Sequence, residues 1–541
     1  MKKNKDRTET SLIPSTIQDH PYLFLILLGL IVYMRSLFFG IVDLDDNVLV
    51  LENQHVTGHI ANFYMAFTRD VFLKYTGGYY RPILVLTFFF DGLIGGAETF
   101  YYHFTNIVIH LAAVCVLAKF LVKFGIDKKL SFVFCAFFVV HPVLAQAVSW
   151  IPGRNDSLLF IFSVLSFYYI IDRKYLLHFF FFALAVFTKE NAIAIAFIVM
   201  FYLYFIKMEK KLSFDKLGLI IGWSLIFAAW YLLRREALPV AGPEPLHFQN
   251  LMVNALRNTG SFLLYLGKVF IPVNLTVLPI LRDSTIVYGL VCLALLVLMY
   301  VMTKQPRKNY IILGCAWSFL FMAPAIALRN DFMEHRMYVP MLGLFIIFSE
   351  LDLFKNLFFG KKYKLIVAVS VLLIFIIINI VHSGVFKDGE SFWASAVRTS
   401  PHYALSHKNM GCEFYKAGKI NEAEEEFITS LKLDPKETMS HNNLGLIYMN
   451  KNINDKAEQE FLKEIEINPN YDVVQYNLGL LHYNRGDLEQ ARVWFEKSVR
   501  LNPNRIDSFI KLFECSMRLN DPGSAALYRS ELEKRGMRII Q

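Results

Sequence analysis

Cysteine is scarce in this chain, with six among 541 residues. Cys115, Cys135, Cys292 and Cys315 lie inside apolar runs, and Cys412 and Cys515 stand far apart. No pair has the spacing of metal ligands, so neither a zinc site nor a structural disulfide is expected. No small-residue cleavage site follows the first apolar run, 22–41. That run is therefore expected to stay as a membrane span rather than leave as a signal peptide. The closing "KRGMRIIQ" carries no retention tail. Beyond Trp393 there is no apolar run long enough to cross a bilayer, which sets a polar second part against a membrane first part. An excess of one charge is modest: 55 Lys and Arg against 46 Asp and Glu, a net +9. The basic residues cluster in the joints between apolar runs, where they orient helices, so nucleic-acid binding is excluded.

What the chain does have is apolar surface. Hydrophobic residues make up 55%, and Phe alone contributes 50. Runs near the ~20-residue length of a bilayer crossing occur at 22–41, 103–122, 130–150, 157–171, 176–187, 191–207 and 216–233. Others follow at 285–303, 310–328, 337–351 and 363–382. The expectation is an all-α chain: a polytopic bundle of about eleven spans followed by an α-solenoid. Its parts are a cytoplasmic segment 1–21, a membrane domain 22–382, a linker 383–401 and a repeat domain 402–541. With the N-terminus inside, the joints 123–129, 172–174, 207–211, 304–308 and 355–364 are cytoplasmic and rich in Lys and Arg. The odd span count puts the C-terminal part outside. The segment 260–278 is expected to be a re-entrant or surface helix. "RPILVLTFFFDGLIGG" is expected to lie along the interface.

Pro401, Pro435, Pro469 and Pro503 recur every 34 residues, and so do Gly411, Gly445 and Gly479. Ala423, Ala457 and Ala491 share that step, as do Phe427, Phe461 and Phe495. The period and pattern resemble the tetratricopeptide repeat, a pair of antiparallel helices per unit. Asn409, Asn442, Asn443, Tyr476 and Asn477 lie on first helices and are candidates for a concave groove that holds a peptide or partner. The alternative is an array that only packs on the membrane part.

The external joints carry charge beside hydrocarbon. "DLDD" holds Asp43, Asp45 and Asp46, "IPGRND" holds Arg154 and Asp156, and "TKEN" holds Lys189 and Glu190. "RNDFMEHRMYVP" holds Glu334, His335 and Arg336. Ionisable groups in such places are functional candidates by default. Chemistry suited to this face is group transfer from a lipid-linked phosphate: a carboxylate takes the proton of an incoming hydroxyl, and cations balance the leaving phosphate. Plainer readings stand beside it. The acidic loop can be solvated decoration, and Arg154 and Asp156 can form a local ion pair. His103, Asn106 and His110 can bond neighbouring helices, and His141 can cap a helix end.

The ordered set "DD…YRP…HFTNIVIH…VHPVLAQAVSWIPGRND…TKE…EHRMYVP", followed by the repeats, resembles the transmembrane and tetratricopeptide repeat-containing O-mannosyltransferase-like family. That family lies within the GT-C superfamily of polyprenyl-phosphate-sugar-dependent glycosyltransferases. The resemblance implies an acidic pair, Asp45 and Asp46, with one of them the base toward the acceptor. It implies Lys189, Arg81 and Arg336 as grips for the donor phosphate. It marks Asp156 as the position where some members hold a metal, here a divalent cation such as Mg2+ or Mn2+. The implied partners are a polyprenyl-phosphate-linked sugar, with mannose as one candidate, membrane lipid, and a protein or peptide acceptor presenting Ser or Thr. The implied place is a bacterial inner membrane with the catalytic face and repeats periplasmic, or the lumenal face of the endoplasmic reticulum in a eukaryote. Two other readings compete: a non-catalytic membrane scaffold that presents repeats for envelope assembly, and a transporter of lipid-linked sugars.

Overall fold

The computed structural model describes residues 19–74, 78–211, 213–238, 248–328, 331–356 and 363–537. The expected cytoplasmic segment 1–21 lies almost wholly outside them. Among the described residues the regular structure is helical, apart from one isolated bridge between Ile280 and Asp331. The chain forms two units, Met1–Thr399 and Ser400–Gln541.

Among the described residues of the first unit, five helices are long and apolar enough to cross a membrane: Pro21–Phe38, Thr99–Lys123, Phe214–Ala237, Lys308–Leu328 and Ile366–Phe386. Lys128–Val140 and Pro142–Ser149 make a sixth if taken together, bent by 52°. The break falls at His141-Pro142, where proline cannot donate to the preceding turn. The remaining expected spans are helices too, but most are shorter. Tyr175–Thr188, Glu190–Ile206, Val287–Met302 and Pro340–Glu350 have 10–17 residues. Counting apolar runs therefore located the helices and overstated how many cross on their own length, because polar joints interrupt the runs within the bundle.

Two short helices pack one face into the protein. Pro82–Gly95, expected along the interface, buries Leu84, Val85, Phe88, Phe89 and Asp91 and leaves Phe90 and Ile94 exposed. It opens on proline and stops at Gly96, whose φ of +61° suits a residue without Cβ. Gly260–Phe270, expected as a re-entrant or surface helix, is a short apolar helix with Leu264, Tyr265 and Val269 buried. It packs so closely on Val287–Met302 that a Cβ on Gly289 would overlap the Leu263 carbonyl. Close approach of small residues is how helices associate where lipid is as apolar as a side chain.

Phe fills the spaces between helices. Phe134 stacks on Phe345 with centroids 4.9 Å apart, and Phe138 stacks on Phe160 at 5.1 Å. Buried polar side chains bind helix to helix. Asn106 donates to the carbonyls of Val148 (3.0 Å) and Trp150 (2.9 Å), and His110 meets Tyr338 Oη (2.6 Å) and the Val139 carbonyl (3.1 Å). His141 Nε2 meets the Val269 carbonyl at 2.9 Å. The expected linker 383–401 is also folded. It holds a turn, Gly384–Phe386, and a helix, Gly389–Thr399, with Phe386, Phe392 and Trp393 buried. A linker made of Phe and Trp has too much apolar surface to stay open to water.

The second unit stacks four helix pairs. They are Ala404–Lys416 with Ile420–Leu433, Ser440–Asn450 with Asn454–Ile467, Asp472–Arg485 with Leu488–Leu501, and Ile506–Arg518 with Pro522–Lys534. Gly411, Gly445 and Gly479 each lie under the ring of Phe427, Phe461 or Phe495, where a Cβ would come within 2.5–2.8 Å of ring carbons. Ala423, Ala457 and Ala491 are fully buried. The 34-residue period is thus a packing period: small residue on one helix, phenylalanine on its mate.

Candidate functional site

Four chain segments meet at Asp156. The sequence "IPGRND" turns at Pro152 and Gly153 into helix Arg154–Ile171, which places Asp156 in the first turn. Gly153 is required there, since a Cβ would lie 2.5 Å from the Gln146 carbonyl oxygen. Lys189 leaves the end of helix Tyr175–Thr188 in extended backbone. Its ammonium donates to both oxygens of Asp156 at 2.9 Å. His335, on the turn Glu334–Met337, brings Nε2 to 3.7 Å from the same carboxylate. Arg81, just before helix Pro82–Gly95, reaches Glu190 at 3.5 Å and covers the Tyr79 ring at 4.5 Å. With the Asn155 amide oriented so that its oxygen meets Arg81 (3.0 Å), its nitrogen donates to the Thr188 carbonyl at 3.1 Å. Arg336 pairs with Asp331 at 3.1 Å and adds positive potential at Asp156.

Arg81, Asp156, Lys189 and Arg336 are therefore brought into one neighbourhood, with Glu190 and His335 among them. The local pair between Arg154 and Asp156 is not formed. Arg154 is fully buried and turns the other way, to Asp91 (2.5 Å), the Asn106 amide oxygen (2.6 Å) and the Tyr102 carbonyl (2.7 Å). It also lies over the Phe88 ring at 4.7 Å. This network fixes the start of the helix that carries Asp156.

A second buried network holds the turn with His335 and Arg336. Glu334 accepts from Lys268 (2.7 Å), the Thr276 amide (2.8 Å) and His382 (3.0 Å). Burial alone would raise its pKa, but Lys268 and then His382 carry it down to about 2. For His335 burial itself does the lowering, to about 3, so its imidazole is neutral at neutral pH. Sequence reading missed Asp91, Lys268 and His382. The signal was present, because an acid in "FFFDGL" and a lysine in "YLGKVF" each need a partner when placed among apolar residues.

The acidic loop is built differently. Asp46 is 1% exposed and accepts from the amides of Val42 (2.8 Å) and Leu44 (3.2 Å) in its own loop. Burial raises its pKa to about 6 despite those amides. Asp43 takes a φ of +54°, and Asp45 is half-buried beside it. Among the described residues Asp46 joins none of the ion pairs around Asp156. Its carboxylate shapes the loop that presents Asp45.

The surroundings of Asp156 do not fit a divalent cation. Both oxygens face an ammonium, and Arg81, His335 and Arg336 add further positive or neutral donors. Among the described residues no group of three or more His, Cys, Asp or Glu converges on a common point. The donor set suits an anion.

In the repeats, the groove residues are less open than expected. Asn442 and Asn477 are buried and bond each other at 2.8 Å, because consecutive first helices press together along them. Asn443 donates to Cys412 Sγ at 3.4 Å, Asn409 is half-buried, and the Tyr476 ring packs tilted against Phe495 at 5.5 Å. A cavity of ≈ 200 Å³ lies beside them, lined by Cys412, Tyr415, Lys416, Phe427, Asn443 and Leu446.

The fold and these sites define a multi-pass helical membrane protein that carries a tetratricopeptide array. Tetratricopeptide repeat family models match residues 408–472 and 473–505. In sequence the chain resembles the tetratricopeptide-bearing protein O-mannosyl-transferases. It is 37% identical over 98 residues to the human protein O-mannosyl-transferase TMTC1, covering 17% of this chain and 11% of that protein. It is 31% identical over 146 residues to mouse TMTC2, covering 26% of this chain and 17% of that protein. Most of each relative's length thus lies outside the match. Among solved structures, a crystal structure of MamA matches at 18% identity and a TM-score of 0.26, over 27% of this chain and 86% of that one.

Proposed function

We propose that this protein is a glycosyltransferase of GT-C type that moves a sugar from a polyprenyl-phosphate carrier to an acceptor hydroxyl. The observation that carries the reading is the meeting of the partly buried Lys189, Arg81 and Arg336 around buried Asp156 at the ends of apolar helices. Each cation is already paired with a carboxylate, Lys189 with Asp156, Arg81 with Glu190 and Arg336 with Asp331. Such a face accepts a phosphodiester by letting an ammonium or guanidinium turn from its carboxylate to the incoming anion. The names of the relatives support mannose as the sugar and protein as the acceptor.

In the reaction, the acceptor oxygen attacks the anomeric carbon while the bond from that carbon to the phosphate oxygen breaks. The polyprenyl phosphate leaves with the electron pair toward Lys189 and Arg81. The hydroxyl proton passes to the carboxylate of the acidic pair. Asp45 is our choice of base and Asp46 the residue that holds its loop. Attack opposite the leaving group inverts the sugar's configuration. The tetratricopeptide array holds the acceptor chain or a partner protein.

The test is transfer from radiolabelled polyprenyl-phosphate sugars in membranes that carry the wild type, Asp45→Asn or Lys189→Met at equal abundance. Label should enter protein with the wild type and fall by about 100-fold or more in both variants, the scale seen when a stabilising group is removed from a transfer site. Equal labelling by all three would remove the reading and leave a scaffold.

A further inference from the structure

Beside the Asp156–Lys189 pair, the buried polar groups without a partner include the indole N–H of Trp150 and Nδ1 of His335. The residues are 5% and 8% exposed, and their rings lie 5.6 Å apart. Buried polar atoms are almost always bonded, so an unbonded pair in one place calls for a partner that arrives later. Both residues are rigidly held. The Gln146 side-chain oxygen accepts from the His335 amide (3.2 Å), and the Gln146 carbonyl accepts from the Trp150 amide (3.2 Å). One residue therefore ties both to a fixed frame, and the Gln146 side-chain nitrogen is anchored on the Val277 carbonyl at 3.1 Å.

Their chemistry is complementary. The carboxylate of Asp156, near Nε2 of His335, favours the tautomer with its proton on Nε2. That leaves Nδ1 as an acceptor, while the Trp150 indole can only donate. An anion would satisfy the donor and repel the acceptor's lone pair. A hydroxyl-bearing group satisfies both, since each hydroxyl donates and accepts.

We infer that Trp150 and His335 form the subsite that recognises hydroxyl groups of the donor sugar, next to the phosphate grip. The inference rests on the transferase reading and adds the residues that select the sugar. These are specificity residues: each side chain touches the sugar, and neither takes part in bond making.

The experiment measures KM and kcat for the donor with the full chain in membranes. The variants are Trp150→Phe, His335→Leu and His335→Asn, and the donors are polyprenyl-phosphate mannose and its monodeoxy analogues. Trp150→Phe keeps the ring and loses the N–H, so donor KM should rise about five- to tenfold with kcat little changed. His335→Leu should do the same. His335→Asn places an amide oxygen near the former Nδ1 and should recover most of the loss. For each variant, one deoxy donor should be used as well as the native one, because the missing hydroxyl was that residue's partner. Unchanged donor KM, or a loss equal for native and every deoxy donor, would overturn the inference while leaving the transferase intact. If the wild type transfers from no polyprenyl-phosphate sugar, the transferase reading falls and takes this inference with it.

Discussion

Charge placement at single residues sets most of what is specific here. Asp46 is the clearest case, because its burial lifts its pKa to about 6 from an ordinary carboxylate value of 3.8. The folded state therefore binds this proton more tightly than the unfolded chain does. The stability that Asp46 contributes is present below about pH 4 and is lost as the pH rises through about 6. Asp46→Asn removes this dependence. The wild type's unfolding temperature relative to the Asn variant should rise as the pH falls from 7 to 4, measured in detergent by thermal denaturation. A gap that stays constant across that range would mean the carboxylate is not buried as described.

At the scale of elements, the repeats depend on a fixed exchange of volume between paired helices. A Cβ at Gly445 would come within 2.5 Å of the Phe461 ring, which has no free space to retreat into because Phe461 is itself fully buried. Gly445→Ala should therefore cost about 1–3 kcal/mol. The cost should appear as faster proteolysis between residues 400 and 541 of the full chain. The double variant Gly445→Ala/Phe461→Leu should regain part of that loss, since a smaller side chain makes room. If Gly445→Ala is as resistant as the wild type, the close packing is not what holds this pair of helices. In the first unit an apolar run shows that a stretch avoids water, and a proline within it can bend the helix, as at His141-Pro142.

For the whole molecule, the number of crossings fixes which side each part faces. An odd number of crossings with the N-terminus inside puts the repeats outside, whereas six crossings would put them inside. With the native cysteines replaced, Lys210→Cys should react with a membrane-impermeant thiol reagent only after permeabilisation. Ser524→Cys should react without permeabilisation. Protection of Ser524→Cys would place the repeats on the inner side and separate them from an external acceptor.

The sequence alone determined what is local or periodic. It marked the 34-residue repeat, because small and aromatic positions must alternate in every helix pair. It marked the apolar helices, because twenty residues without charge have few places to go but lipid or core. It also singled out joints that the fold brings together, because an ionisable residue beside hydrocarbon advertises itself: Asp156, Lys189 and Arg336 were legible in this way, and Arg81 through the family resemblance. Only the tertiary structure decided who pairs with whom. Arg154 passes over Asp156, two residues away, and takes Asp91, 63 residues back; Glu334 takes Lys268, 66 residues back, and His382, 48 residues on. Such choices depend on which helix faces which and on how far a side chain reaches across a packed interface. Spacing along the chain carries no record of either. The same cause buried Asn442 and Asn477, which a helical pattern shows to share a face but cannot show to be covered by the next repeat.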